Sequence, residues 1–238
     1  MHFVLYRFCI LGRYSRRQID GETDMLHRLI RWCAVALICC SPTTWAADAP
    51  VEGQDYRLLI PAQPTDNPSK VVVTEFFSYE CSHCFEFYPF VTSWSHKLPS
   101  DVVFQRVPIS LGRAVWVPAV QVFYALQAVG KLDQLDGAIF RGIHMENARL
   151  LDDASMIDFV AKHGVNKGEF AAAYNSFGVK SSTMRADQLM KSYRIQGTPT
   201  MVVDGKYVVM SEGTRSFEEL LARTDKVIAK ARVEKGRK

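Results

Sequence analysis

The chain has 238 residues, of which 48% are apolar and 23% charged, the balance of an ordinary globular protein long enough for one large domain or two small ones. Its formal charge is +4, but residues 1–46 carry six of the 29 basic and three of the 25 acidic residues, which leaves 23 against 22 in the remainder. So near-neutral a body excludes an electrostatic case for nucleic-acid binding or for long-range attraction to a membrane surface.

Taken in chain order, Met25 to Ala46 has the three parts of a secretory signal. His27, Arg28 and Arg31 make a basic start, Trp32 to Cys40 an apolar stretch, and Thr44-Trp45-Ala46 a small-residue exit after the helix-breaking Ser41-Pro42. Cleavage is expected before Ala47. A retained membrane anchor is the competing reading, but the apolar run falls short of the roughly 20 residues that span a bilayer. Lipidation is not expected, because no small residue precedes Cys39 and Cys40 follows another cysteine. Residues 1–24 fit poorly ahead of such a signal, which points to a translation start at Met25. Residues 1–46 are therefore read as a leader and the rest as an exported protein. Removing the leader removes Cys9, Cys33, Cys39 and Cys40 and leaves only Cys81 and Cys84. A pair so close in sequence closes a tiny loop, and disulfide stabilisation grows with loop length, so the pair suits chemistry better than it suits stapling the fold.

From Ala47 to Lys70 the chain is a Pro-, Asp- and Gln-rich lead-in with one alternating stretch, Tyr56 to Leu59, suited to an edge strand. Val71 to Phe77 is a continuous β-branched and aromatic run, the pattern of a central strand buried on both faces. Ser78 to Glu80 form a turn, Ser82 to Lys97 a helix, and Val102 to Val107 a further strand. Between Leu111 and Tyr193 apolar residues recur at helical spacing and β-runs vanish. Four helices are expected there: Val115 to Val129; one capped by Asp152 or Asp153; one capped by Asn166 with Gly178 at its end; and one from about Ser182 to Tyr193. Strands return at Thr200 to Val203 and Lys206 to Met210, joined by Asp204-Gly205, a dipeptide suited to a type I′ turn. Ser216 caps a last helix, with Glu219 at the capping-box position. The order predicts an α/β sheet domain, 47–110 and 194–238, interrupted by an all-helical insertion, 111–193.

A Cys-x-x-Cys that follows a buried strand and opens a helix puts its first sulfur where unpaired backbone N–H groups and the helix dipole stabilise a thiolate. Cys81 is then the nucleophile and Cys84, within one turn, the resolving thiol. Half of a zinc site and an inert structural disulfide are the other readings. The first lacks partners, since His83, His96, His144 and His163 show no paired metal spacing, and no metal is expected. His83 either stabilises the Cys81 thiolate with its ring or is simply solvated. Glu75, six residues before Cys81, either lies buried with a raised pKa, as a proton acceptor for Cys84, or sits at the strand end and reaches water. Gly197-Thr198-Pro199-Thr200 suits a cis peptide ahead of a strand, and next to Cys81 it would leave backbone groups free for an extended substrate.

Together these motifs resemble the thioredoxin-like disulfide oxidoreductases, and in particular the bacterial periplasmic DsbA group. Glu75-Phe76-Phe77-Ser78-Tyr79 leading into Cys81-Ser82-His83-Cys84 looks like that group's strand and active site, Thr198-Pro199 falls at its cis-proline loop, and the helical block falls at its insertion. The resemblance implies a thioredoxin-like fold and a monomeric thiol:disulfide oxidase of the periplasm. Such an oxidase uses the Cys81–Cys84 disulfide in place of any external cofactor, oxidises reduced exported proteins, and is reoxidised by a quinone-linked inner-membrane partner of the DsbB type. It places catalysis on Cys81, Cys84, His83 and Glu75, and substrate contact on Thr198, Pro199 and Ser82. One departure is Ser82, where the best-known members carry proline. A disulfide isomerase or reductase on the same fold, or an exported chaperone module without redox turnover, would share most of these features. The short lead-in, however, has no room for the dimerisation domain usual in the isomerases.

Overall fold

The structure is a computed structural model that describes residues 49–236. The expected leader, its cleavage site and the Met25 start lie outside the described residues. Five strands form one sheet in the order β1-β5-β4-β2-β3. Its centre is β2, Val71–Phe77, every residue of which is buried, as the unbroken apolar run predicts. Parallel to it lies β3, Val102–Pro108, with Glu75 level with Arg106. On its other side β4, Thr200–Val203, runs antiparallel with Glu75 level with Met201. A tight turn joins β4 to β5, Tyr207–Val209, and β1, Tyr56–Leu58, closes the edge against β5. Asp204 and Gly205 both have positive φ, 55° and 63°, as a type I′ turn requires. Glycine is obligatory at the second position, because a Cβ there would lie 2.1 Å from the Gln63 carbonyl oxygen.

Helix α1, Ser82–Ser95, follows β2 and buries Cys84, Phe87 and Val91. Phe87 and Val91 pack with Val71, Val73, Met201 and the inner face of the C-terminal helix into one core cluster. Complete burial of a side chain such as Phe87 contributes about 1.5–3 kcal/mol. Cys84 belongs to a different cluster, shared with Phe77, Tyr79, Ile139 and Phe140, in which the sheet meets the helical insertion.

Between β3 and β4 the chain forms a 3-10 turn, Ala114–Trp116, and then five α-helices rather than the four expected. These are α2, Val117–Ala128; α3, Leu132–His144; α4, Asp153–Lys162; α5, Lys167–Tyr174; and α6, Phe177–Ser192. The additional helix is α3. Its start at Lys131 has no side-chain cap, and it contains two glycines, Gly137 and Gly142, which obscure the acidic first turn at Asp133 and the basic last turn at Arg141 and His144. The glycines are there because rings lie against the backbone: a Cβ at Gly142 would sit 2.7 Å from the Phe159 ring, and one at Gly137 3.2 Å from the Tyr88 ring. A second correction concerns Gly178. It does not end α5, which stops at Tyr174, but sits in the first turn of α6, whose cap is Ser176 accepting from the Val179 N–H. The caps at Asp152 and Asn166 form as expected, at 2.7 and 2.9 Å.

The last helix among the described residues is α7, Phe217–Glu234, capped by Ser216. Glu219 reaches back to the Arg215 N–H rather than to that of Ser216. Among the described residues, no helix is long and apolar enough to cross a membrane.

Candidate active site

The buried strand β2 ends at Phe77, and the turn Ser78–Glu80 then lifts the chain to Cys81, the N-cap of α1. An N-cap residue faces N–H groups that have no partner inside the helix. Here the acceptor is a sulfur: Cys81 Sγ takes a hydrogen bond from the Cys84 backbone N–H at 3.3 Å. Hydrogen bonding from Cys84 is the largest influence on Cys81 and overcomes its partial burial, holding the thiol down at about 5 against an ordinary 9.0. Cys84 is fully buried, and burial, reinforced by Cys81, pushes its thiol far up. Both are free cysteines. The two sulfurs thus differ in the sense that an attacking and a resolving thiol need.

Across from α1, the Thr198–Pro199 peptide is cis, and the Thr198 carbonyl accepts from Cys81 Sγ at 3.3 Å. The structure therefore brings Cys81, Cys84, Thr198 and Pro199 together as the motifs suggest. His83, Thr198 and Pro199 share a groove of about 360 Å³ with Ser211, Arg215, Phe217 and Leu220. Phe217 is backed by the rings of Phe87 and Phe90 at 5.2 and 5.5 Å, which gives the groove an apolar floor. The His83 side chain is 73% exposed with Nδ1 3.6 Å from Glu86, so of its two sequence readings the solvated one describes the ring. Ser82, also exposed, occupies the first helical position, where proline would lack an N–H.

Glu75 does not reach water: it is fully buried, and burial raises its pKa in spite of Arg106. Arg106 Nε donates to Glu75 Oε2 at 2.6 Å, while Arg106 Nη1 donates to Asp136 on α3, which also accepts from the Tyr79 hydroxyl. The guanidinium lies 3.9 Å from the centroid of the Phe77 ring. Neither Arg106 nor Asp136 is found by reading the sequence. The only trace of the first is a charge within an alternating strand. Two further neighbours of the cysteines are likewise missed. Glu80 accepts from Ser78 Oγ at 2.7 Å and is pushed up to about 7 by burial. His144, at the end of α3, holds the Tyr79 carbonyl through Nε2 at 2.7 Å and stacks on the Phe85 ring. Among the described residues, no group of three or more His, Cys, Asp or Glu is placed to hold a metal ion.

A thiolate-stabilising Cys-x-x-Cys helix facing a cis-proline loop, on a sheet with a helical insertion, is matched by a family model described as a DSBA-like thioredoxin domain, over residues 72–224. The chain belongs to the DsbA family. Thiol:disulfide interchange protein DsbA of Pseudomonas aeruginosa is 38% identical over 186 residues, 78% of this chain and 88% of that protein. DsbA of Burkholderia cepacia is 41% identical over 160 residues, 67% of this chain and 75% of that protein. The crystal structure of Pseudomonas aeruginosa DsbA superposes with a TM-score of 0.73 at 38% identity, covering 76% of this chain and 94% of that one. That of the oxidoreductase DsbA from Xylella fastidiosa gives 0.71 at 29% identity, covering 78% and 99%. The DsbA-family chain is accordingly a thiol:disulfide oxidoreductase with an α/β thioredoxin fold and a helical insertion, acting on protein thiols.

Proposed function

We propose that the protein is a disulfide donor, an oxidase, in which Cys81 exchanges with clients and Cys84 is the leaving thiol, able in the reverse direction to resolve the mixed disulfide. The observation that carries this is the placement of the two sulfurs, Cys81 Sγ at the start of α1 accepting from the Cys84 N–H beside the cis Thr198–Pro199 loop, and Cys84 fully buried behind it, which displaces the Cys81 thiol down and the Cys84 thiol up. A client thiolate attacks Cys81 Sγ, the Cys81–Cys84 bond breaks, and its electron pair and a proton end on Cys84. A second client thiolate then attacks the client sulfur of the mixed disulfide and releases Cys81 as a thiolate. Because that thiolate is stabilised, the dithiol form is favoured and the disulfide is a strong oxidant. Glu75, buried with a raised pKa, supplies and removes the Cys84 proton.

Thr198 and Pro199 present the backbone on which an extended client pairs, and Ser82 and His83 border the same groove. The redox-active disulfide is the sole redox group in this reading. The clients are reduced, unfolded exported proteins, the compartment is the periplasm, the protein acts as a monomer, and a quinone-linked membrane oxidase of the DsbB type restores the disulfide.

The reduction potential of the Cys81–Cys84 couple tests the reading. A value near ~−120 mV, that of the known strong oxidant of this family, supports an oxidase, and one near ~−270 mV indicates a reductant. A Cys84→Ala variant should accumulate a mixed disulfide at Cys81. A variant that still assists client folding without forming one would indicate a chaperone module instead.

A further inference from the structure

Beneath the catalytic helix, one buried charge has no part in the exchange as described. Asp136 lies on α3 with its side chain only 8% exposed. Each of its oxygens is used, one by the Tyr79 hydroxyl and one by Arg106 Nη1. Arg106 gives its Nε to Glu75 at 2.6 Å, so a single guanidinium is divided between two carboxylates. Glu75 Oε1 and Arg106 Nη2 are buried with no hydrogen-bond partner. The rings of Phe77, Tyr88 and Phe140 surround the guanidinium at 3.9, 5.2 and 5.9 Å. The charged and titratable groups that act on Glu75 or its partners are thus Arg106 from β3, Asp136 from α3, Tyr79 from the turn, Tyr88 from α1 and Cys81 at its N-cap.

Two carboxylates and one cation are an unusual set to bury. Were Arg106 paired with Glu75 alone, adding a proton to Glu75 would strand an uncompensated cation among aromatic rings. With Asp136 holding the other arm of the fork, the same proton removes a surplus negative charge and leaves a complete Arg106–Asp136 pair. We propose that Asp136 is a positioning residue for the exchange reaction: by claiming one arm of Arg106, it leaves Glu75 able to take the Cys84 proton and return it. The proposal rests on the reading of Glu75 as the proton acceptor. When Cys84 resolves a mixed disulfide, its S–H bond breaks and the proton passes to the Glu75 carboxylate. The Cys84 electron pair then forms the bond to Cys81 Sγ, and the departing thiol leaves with the pair of the broken S–S bond. Arg106, Asp136 and Tyr88 also line a second groove, of about 640 Å³, which shares no residue with the client groove. Arg106 and Asp136 therefore border a groove separate from the client groove, while Glu75 lies buried behind them.

The test mixes reduced protein with oxidised glutathione from about pH 4 to about pH 9 and uses rapid quenching to separate attack by Cys81 from resolution by Cys84. In Asp136→Asn, which still offers Tyr79 an acceptor, the bend in the pH profile of the Cys84 step should move to lower pH. Its rate near neutrality should fall ~10-fold, while attack by Cys81 is not slowed. A loss of both steps with the bend unmoved would mean a merely structural role and overturn the proposal. Glu75→Gln should abolish the bend. If it does not, the reading of Glu75 fails; if it does but Asp136→Asn leaves the bend in place, Asp136 alone fails. The double variant Asp136→Asn with Arg106→Gln decides the matter even if the single variant does not fold. Freed of the cation, Glu75 should bring the bend to the wild-type position or above it, and a bend below that position overturns the proposal.

Discussion

The Cys84 backbone N–H donates to the Cys81 sulfur at 3.3 Å, so the fully buried residue of the pair stabilises the half-buried one's thiolate. The two residues are held in this relation by the first turn of α1, which begins where the fully buried β2 and the Ser78–Glu80 turn leave it.

Titration of the reduced protein, followed by the ultraviolet absorbance of the thiolate, should show Cys81 ionising near 5. Cys84→Ala removes the largest influence holding it there, so the pH for half-maximal alkylation by iodoacetamide should rise. Stability follows with a definite sign. For a group depressed in the folded state, the contribution is present above the unfolded value of 9.0 and is lost as pH falls through about 5. Chemical denaturation of the reduced protein should therefore show stability rising between those limits, with that slope absent in Cys81→Ser.

Glu80 behaves in the opposite sense. Burial raises it from 4.5 to about 7, so the folded state holds its proton more tightly than the unfolded state does. Stability is then lost as pH rises from about 4.5 to 7, by up to about 3 kcal/mol. Thermal melts of Glu80→Gln should be flatter over this range and higher than wild type above it, with no gain at the acid end.

Arg106→Ala should destabilise the protein by about 3–5 kcal/mol, because it leaves Glu75 and Asp136 buried without their cation. The loss should shrink in acid, where Glu75, already raised by burial, takes a proton. Urea denaturation at two pH values reads both effects.

Gly142→Ala should cost roughly 1–3 kcal/mol, since the added methyl would have to displace the Phe159 ring in the packed contact between α3 and α4. The expected outcome is a lower melting temperature with unchanged Cys81 ionisation, because neither Gly142 nor Phe159 is among the groups that act on the Cys81 thiol.

Much of the fold is legible along the chain because its signals are local. The unbroken run Val71 to Phe77 marks the central strand, Asp204-Gly205 marks the hairpin turn between β4 and β5, and Asp152 or Asn166 can cap a helix only by reaching an N–H three residues on. Where a residue's meaning depends on a distant ring, the local rule misleads. Gly137 and Gly142 look like breaks, yet they let Tyr88 and Phe159 pack on the backbone of α3, whose start has no side-chain cap to announce it.

The site divides in the same way. Cys81-Ser82-His83-Cys84 after a buried strand, with Thr198-Pro199 before another, is enough for the sequence alone to specify a thiol exchange centre, because a helix start and a turn proline are properties of neighbouring residues. The surroundings of Glu75 are not of that kind. Glu75, Tyr79, Arg106 and Asp136 come from a strand, a turn, a second strand and an inserted helix, and only the parallel register of β2 with β3 and the packing of α3 against them put one guanidinium between two carboxylates. A buried charge takes its energy from what lies within a few ångströms of it, whatever the separation along the chain. Tertiary structure alone therefore decided that Glu75 is buried beside a shared cation, and that the His83 ring stands exposed beside Glu86.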